Sequence, residues 1–253
     1  MSDLSHARLA QLPGTRSFRY FDDTPSTNTI GLAWLAAGCP DGSIVVADEQ
    51  TAGRGRLGRS WFAPPGSALM FTYLFHPPRE LAVRATMLGA LAVLQALQAS
   101  GISGLGIKYP NDVQIGGKKV CGVLAEAAWN GDSIGVALGI GLNVRINFED
   151  TPFRETAISA ETALGRTIDR AQLLQSVLER LDFWRVRMAE PALFHAWRDA
   201  LNMLNTRVQV STAEGPVAGI ARDVSPDGAL LIEHDDGHIH VVTAGDILVI
   251  TSP

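Results

Sequence analysis

Three guanidiniums, Arg54, Arg56 and Arg59, stand among glycines in QTAGRGRLGRSW, residues 50–61, and no acidic residue falls between Glu49 and Glu80. Glycine lets main-chain N–H groups approach an anion and arginine offers paired donors, so the run suits a polyphosphate or a carboxylate. Gly53, Gly55 and Gly58 formally satisfy G-x-G-x-x-G. The residues that follow, Trp61-Phe62-Ala63-Pro64-Pro65-Gly66, cannot start the helix that a dinucleotide-binding turn requires. A G-x-x-x-x-G-K-[ST] loop is absent as well, so a nucleotide would be held by other means.

A second constellation, GIKYPNDVQIGGKKVCGVLAE, covers residues 106–126. It contains Lys108, Lys118 and Lys119, the only lysines among 21 basic residues. Codon usage explains an arginine bias but not this clustering. A compact ammonium differs from a planar guanidinium in hydration and pKa, so the cluster marks positions where arginine would not serve. Pro110 ends a strand, Asn111 and Asp112 offer short polar side chains at a turn, and Gly116-Gly117 sends the chain back. That arrangement would set Lys108 and Lys119 side by side across a hairpin, with Glu126 as partner of a nearby lysine. The third, GIGLNV at residues 139–144, places glycines in a buried strand, where a ligand or another backbone can come close.

The elements that must carry these residues follow from periodicity and punctuation. Residues 17–21 read as a strand, and Thr24-Pro25-Ser26-Thr27-Asn28 then starts a helix through Leu35, ended by Gly38. Strands are expected at 43–49, 67–75 and 104–108, an irregular loop at 50–66, and an amphipathic helix at 81–99. Residues 119–129 and 133–144 form an antiparallel pair joined by Asn130-Gly131-Asp132. Helices follow at 169–188 and 191–204. Five short alternating runs after Arg207, separated by Gly- and Asp-containing turns, read as a small barrel.

Charge divides the chain at the same place. The net charge of −5 resides in residues 205–253, which hold two arginines against seven acidic residues, and the longer segment is neutral. A non-specific nucleic-acid binder is disfavoured. Cys39 and Cys121 are too few for a disulfide framework, and neither a secretory signal nor a bilayer-long apolar run is evident. The reading is a cytoplasmic protein with no DNA or membrane partner. His234, His238 and His240 lie on an acidic hairpin without cysteine support, and read as solvated side chains.

Taken in order, TAGRGRLGRSW, KYPNDV, KKVCGVLAE and GIGLNV resemble the signatures of the biotin-protein ligases, with Ser26-Thr27-Asn28 upstream and a small barrel downstream. The resemblance spans roughly the whole chain. It implies an α+β fold: a catalytic domain over residues 1–204, its mixed or antiparallel sheet flanked by helices in the class II synthetase-like manner, then an SH3-like β-barrel over 205–253. It further implies ATP-dependent formation of biotinyl-5′-AMP with Mg²⁺ and transfer of the acyl group to a lysine of a biotin carboxyl carrier domain. About two dozen residues precede Ser26, too few for the winged-helix domain of some members, so the monofunctional type is expected. A homodimer is compatible with all of this.

By the same resemblance, Ser26, Thr27, Asn28, Gln50, Arg54, Gly55, Arg56 and Lys119 would hold biotin. Arg56, Arg59, Trp61, Lys108, Asn111 and Asn143 would face the nucleotide. Lys119, Arg56 and Lys108 would stabilise the reacting oxyanions, and Asn111 is the one candidate metal donor. Tyr109 replaces the family's usual Trp, Leu57 a common basic residue, and Cys121 a small apolar one. Two other readings are a lipoate-type acyl ligase of the same fold and a non-catalytic nucleotide- or nucleic-acid-binding protein.

Overall fold

Alternation in two strands creates the site. In β6 (Lys118–Asn130) and β7 (Ser133–Asn143), the residues Cys121, Val123, Val136, Leu138, Ile140 and Leu142 are buried in the main core, while Gly122, Leu124, Glu126, Gly139, Gly141 and Asn143 take the other face. The computed structural model describes residues 3–14, 16–130, 133–212, 215–243 and 246–249. Gly131 and Asp132 of the expected hairpin turn lie outside these, although Asn130 and Ser133 pair across it.

In chain order, α1 (His6–Leu9) precedes β1 (Phe18–Thr24), α2 (Thr27–Ala36), β2 (Ser43–Gln50), β3 (Ala68–Phe75), α3 (Ala85–Ala99), β4 (Leu105–Lys108) and β5 (Asp112–Ile115). After β6 and β7 come α4 (Ala160–Leu164), α5 (Arg170–Arg185) and α6 (Pro191–Asp199). Seven strands form one mixed sheet in the order β1-β2-β3-β7-β6-β5-β4, with β1 and β2 parallel and every other neighbour antiparallel. Helices α3, α5 and α6 pack on one another against one face, and α2 crosses the other. The remaining strands, β8 (Arg207–Thr212), β9 (Gly215–Val224), β10 (Leu230–Glu233), β11 (Ile239–Val242) and β12 (Asp246–Val249), form the small antiparallel C-terminal sheet in the order β11-β10-β9-β8-β12.

Two expectations are corrected. The stretch Arg79–Ala99 begins as a 3₁₀ turn, and α3 is buried on nearly every side rather than amphipathic, because it lies between the sheet and α5. Its 21 residues with a mean hydropathy of 1.4 are long and apolar enough for a membrane span, and burial among its neighbours explains that composition here. Lys108 and Lys119 are not neighbours across a hairpin. Asp112–Ile115, to which the sequence assigns no element beyond the turn at Asn111 and Asp112, forms β5 between their strands, pairing Lys108 with Asp112 and Gln114 with Lys119. The segment 50–66 is the long loop expected, and within it a small flap forms: Gly55 N–H donates to the Arg59 oxygen (2.7 Å) and Trp61 N–H to the Gly53 oxygen (2.9 Å), around a 3₁₀ turn at Arg56–Gly58. Leu57 at its tip has φ 56° and is 73% exposed, so this departure from the family pattern projects into solvent.

Candidate active site

A cavity opens where the N-terminus of α2, the end of β2, the glycine face of β6 and β7 and the flap converge. At its inner end Ser26, Thr27 and Asn28 are each buried. The first amide of α2 is capped from a different strand: Gln50 Oε1 accepts from Thr27 N–H at 2.8 Å and lies 3.2 Å from the Thr27 hydroxyl. Ser26, the N-cap residue, is thereby relieved of capping, and its hydroxyl has no hydrogen-bond partner among the described residues. Gln50 Nε2 has only the Met70 thioether at 3.4 Å, a weak acceptor. Asn28, by contrast, is saturated. Its Nδ2 donates to the Leu124 oxygen (3.2 Å) and Glu126 Oε2 (2.7 Å), and the Thr72 hydroxyl lies 2.6 Å from its Oδ1.

The glycines of GIGLNV make this packing possible. A Cβ on Gly139 would stand 2.3 Å from Asn28 Oδ1, and one on Gly141 would stand 2.7 Å from Trp61 Cε2. Trp61 thus lies flat on the sheet as one wall of the cavity. Its indole Nε1 is buried without a hydrogen-bond partner among the described residues, a condition that costs about 1–3 kcal/mol and leaves a donor for an anionic or carbonyl ligand atom.

Lys119 reaches the cavity through an irregularity. Val113 pairs with Cys121 but Gln114 pairs with Lys119, so one extra residue, Val120, is accommodated in β6. This β-bulge reverses the alternation: Val120 is buried in the core and Lys119 moves to the glycine face. Its backbone is held on both sides, N–H to the Thr156 oxygen (2.8 Å) and carbonyl oxygen from Ile158 N–H (3.0 Å) and Asn143 Nδ2 (3.2 Å). Asn143 therefore sets the position of Lys119. The ammonium lies 2.7 Å from Asp112 Oδ1 and 5.6 Å from the Trp61 ring centroid. Asp112 Oδ1 is buried and makes no hydrogen bond of good angle among the described residues, so the ammonium's charge is what compensates it.

The flap brings Arg56 to 3.3 Å from Asn111 Oδ1, while Asn111 Nδ2 donates to the Val123 oxygen at 2.8 Å. Arg54, Gly55 and Arg59 line the same cavity. The Arg54 side chain turns onto Glu126, with Nη2 3.0 Å from Oε2, so the carboxylate expected to pair with a lysine pairs with an arginine. Lys108 is not on the cavity wall, and Lys118 donates to the Arg154 oxygen at 2.9 Å, outside it. Of the three clustered lysines the structure brings only Lys119 to the site. Sequence reasoning missed an apolar outer wall of Phe62, Phe148, Phe153 and Ala157, in which the Phe62 and Phe153 rings stand 5.8 Å apart. Phe148 and Phe153 belong to no motif, and their meeting with Phe62 depends on the tertiary fold alone.

Tyr109 ties this region to the C-terminal sheet: its hydroxyl donates toward the Gly228 oxygen (2.9 Å) and lies 3.3 Å from that of Val242. Cys121 is fully buried, and desolvation pushes its thiol well above the ordinary range, so it packs rather than reacts. Among the described residues no group of three or more His, Cys, Asp or Glu side chains could hold a metal ion; the His234 and His238 rings stack 6.2 Å apart at the surface.

A mixed sheet with a two-sided helical cover, a cationic flap over a glycine-faced pocket and a small antiparallel companion sheet together define a two-part architecture. Residues 20–143 match the model of the biotin/lipoate A/B protein ligase family, and residues 203–249 match that of the biotin protein ligase C-terminal domain. The biotin--[acetyl-CoA-carboxylase] ligase of Mycobacterium tuberculosis is 34% identical over 245 residues, covering 93% of this chain and 90% of that protein. The bifunctional ligase/repressor BirA of Bacillus subtilis is 33% identical, covering 90% and 72%. The biotin protein ligase of Aquifex aeolicus, solved in complex with biotin and ATP, superposes with a TM-score of 0.75 at 29% identity, covering 93% and 99%. The chain belongs to the biotin protein ligase family.

Proposed function

We propose that the protein activates biotin with ATP and transfers the biotinyl group to a lysine of a biotin carboxyl carrier domain, with residues 1–204 as the catalytic unit and 205–253 as its barrel. In the first step a biotin carboxylate oxygen attacks the α-phosphorus of ATP and the bond to pyrophosphate breaks, giving biotinyl-5′-AMP. In the second, the carrier's neutral amine attacks the acyl carbon, AMP leaves with the bonding electrons, and the amine's proton passes to solvent. The observation that carries this reading is the graded cavity: hydroxyl and amide groups at the inner end, Arg56 and Lys119 in the middle, phenyl rings outside.

The free Ser26 hydroxyl and the under-used Gln50 amide suit the polar ureido end of biotin, where hydrogen bonds to buried groups set specificity. Thr27 and Asn28 hold that end in shape. Lys119 stabilises charge on the carboxylate and α-phosphate without forming a bond, and Arg56 joins it from the flap. Arg54 offers its main-chain N–H and Gly55 room for close approach, Arg59 faces the phosphates, and Trp61 covers the acyl chain with its N–H toward the reacting oxygens. The three phenylalanines suit the adenine. Lys108, opposite Asp112 and off the wall, acts at longer range. Mg²⁺ bound with the triphosphate would neutralise phosphate charge, with Asn111 as its candidate protein donor. Two buried free cysteines are in keeping with a reducing, cytoplasmic setting.

The test is pyrophosphate release from Mg-ATP with biotin or with lipoate, followed by mass spectrometry of the small molecule retained. The expected outcome is biotin-dependent release and a bound biotinyl-adenylate. Release with lipoate alone would assign the site to the other acid, and release with neither would overturn the ligase reading.

A further inference from the structure

Two arginines of the flap reach side chains of the sheet from opposite sides. On the nucleotide side Arg56 reaches Asn111 at 3.3 Å. On the opposite side Arg54 reaches Glu126 at 3.0 Å, passing 3.4 Å from the Thr29 hydroxyl in the first turn of α2. Arg54 pairs with Ser60 at the base of the flap, whose two arms are joined by the bonds at Gly53, Gly55 and Trp61. Fastening Arg54 therefore fixes both arms and, with them, Arg56 and Trp61.

Glu126 has a second attachment. The same oxygen, Oε2, accepts from Asn28 Nδ2 at 2.7 Å. Asn28 is buried against Gly139 and forms the inner end of the cavity, so one carboxylate joins the floor of the pocket to the root of its cover. The Arg54 and Glu126 side chains are 46% and 27% exposed, and a pair this open adds little to global stability. What it constrains is the position of the flap at the end over Asn28, opposite the Arg56–Asn111 contact.

We infer that Glu126 is a positioning residue: its carboxylate straps the glycine-arginine flap, through Arg54, to the Asn28 end of the pocket. Arg54 then acts through its guanidinium on Glu126, not on the acid, and the flap is held by two straps at opposite ends. Loss of the Glu126 strap frees the end over the acid while the Arg56 end stays fastened. The consequence for retaining an adenylate rests on the ligase reading, whereas the mechanical claim does not.

The experiment compares hydrogen exchange in residues 53–61 of the ligand-free full chain for the wild type, Glu126→Gln, Glu126→Asp, Arg54→Gln and the Glu126→Gln/Arg54→Gln pair. Gln at 126 keeps an acceptor for Asn28 and removes the charge facing Arg54. Flap exchange should rise about two- to fivefold, the range an exposed ion pair supports, in both single neutral variants. The double variant should add nothing further, Asp should restore part of the protection, and exchange near Leu124 should not change. Raising the salt concentration should loosen the wild-type flap and leave the double variant unaffected. In the presence of biotin and Mg-ATP, Glu126→Gln should release the retained adenylate faster by the same factor, with pyrophosphate formation falling less. Unchanged flap exchange in Glu126→Gln, or additive effects of the two single changes, would overturn the strap. If the wild type forms no adenylate, the ligase reading fails while the exchange series still decides the strap. Should Glu126→Gln fold poorly, Arg54→Gln, which leaves the sheet untouched, decides it alone.

Discussion

The two sides of the cavity are built differently. On the floor, polar groups are spent on one another: Asn28 makes three contacts, Gln50 caps α2, and Asn143 fixes the backbone of Lys119. On the cover, the flap meets the sheet through arginine side chains and Trp61, the segment carrying Phe148 and Phe153 bonds within itself and to Lys118 and Lys119, and Leu57, Phe62 and Phe153 are exposed. A floor whose residues are fixed by one another, with the Ser26 hydroxyl and the Gln50 amide left over, can recognise an acid without reorganising, at little entropic cost. A cover held by a few arginine contacts can admit a nucleotide and then shield a labile anhydride from water. The difference teaches that recognition and retention are divided between two layers, and that residues of one motif serve both.

The roots of the floor are fixed by a separate charged network. Arg170, almost fully buried, donates to Asp3 Oδ1 (2.8 Å), Asp48 Oδ1 (2.6 Å) and the Ala68 oxygen (3.0 Å), and Arg145 donates to Asp3 Oδ2 (2.7 Å). It ties together the end of β2, the start of β3 and the chain after β7, the three places from which Gln50, Trp61 and Asn143 depart. Burial by itself would raise the Asp3 pKa, but the hydrogen bonds from Arg145 and Arg170 outweigh it and hold the group at about 2 against an ordinary 3.8.

Removing the charge shared by both layers should have the largest effect. Lys119→Ala is expected to lower biotin-dependent pyrophosphate release by about 10²–10³-fold, the range seen when a preorganised oxyanion donor is lost. Steady-state kinetics would check this, and Lys108→Ala should cost much less because Lys108 is off the wall. Gly141→Val drives a side chain into Trp61, and overpacking of this kind costs about 1–3 kcal/mol, so biotin affinity by calorimetry should fall about tenfold or more. Phe153→Ala separates the layers: the KM for ATP should rise severalfold, up to about tenfold from the loss of one aromatic contact, while the biotin Kd stays unchanged. Tyr109→Phe deletes the hydroxyl that reaches Gly228 and Val242, and should lower the unfolding free energy by about 1 kcal/mol in a denaturant titration, with little change in kcat.

Acid should weaken the charged network beneath the floor. Because the folded-state pKa of Asp3 is depressed, its contribution to stability is complete above 3.8 and is lost as pH falls from 3.8 through about 2. Asp3→Asn should flatten the pH dependence of the thermal midpoint in that window.

Much of this was legible in the residues. The glycine-arginine run pointed to an anion, the lysine cluster to positions where arginine would not serve and GIGLNV to a close approach, and the family resemblance joined the three into one site. Strand and helix boundaries near Gly38, Asp169 and Pro191 followed from capping chemistry, with the Asp169 side chain accepting from Gln172 N–H at 3.0 Å. What could not be read was register. Asp112–Ile115 is too short for its alternation to stand out from a turn, and the bulge at Val120 that turns Lys119 onto the glycine face leaves no compositional trace. Glu126 looked like a lysine's partner because Arg54 is 72 residues away in sequence. Phe148 and Phe153 were invisible for the same reason, since apolar residues in a connecting segment read first as packing.

The central claim is tested most directly by hydrogen exchange across the whole chain, alone, with biotin, and with biotin plus Mg-ATP. The account predicts that the amides of α2, β6 and β7 are already protected and change little. Those of residues 53–61 and 147–157 should gain protection, most of it only when both substrates are present. A flap that is equally protected in all three states, or a floor that becomes ordered only on addition of biotin, would contradict it.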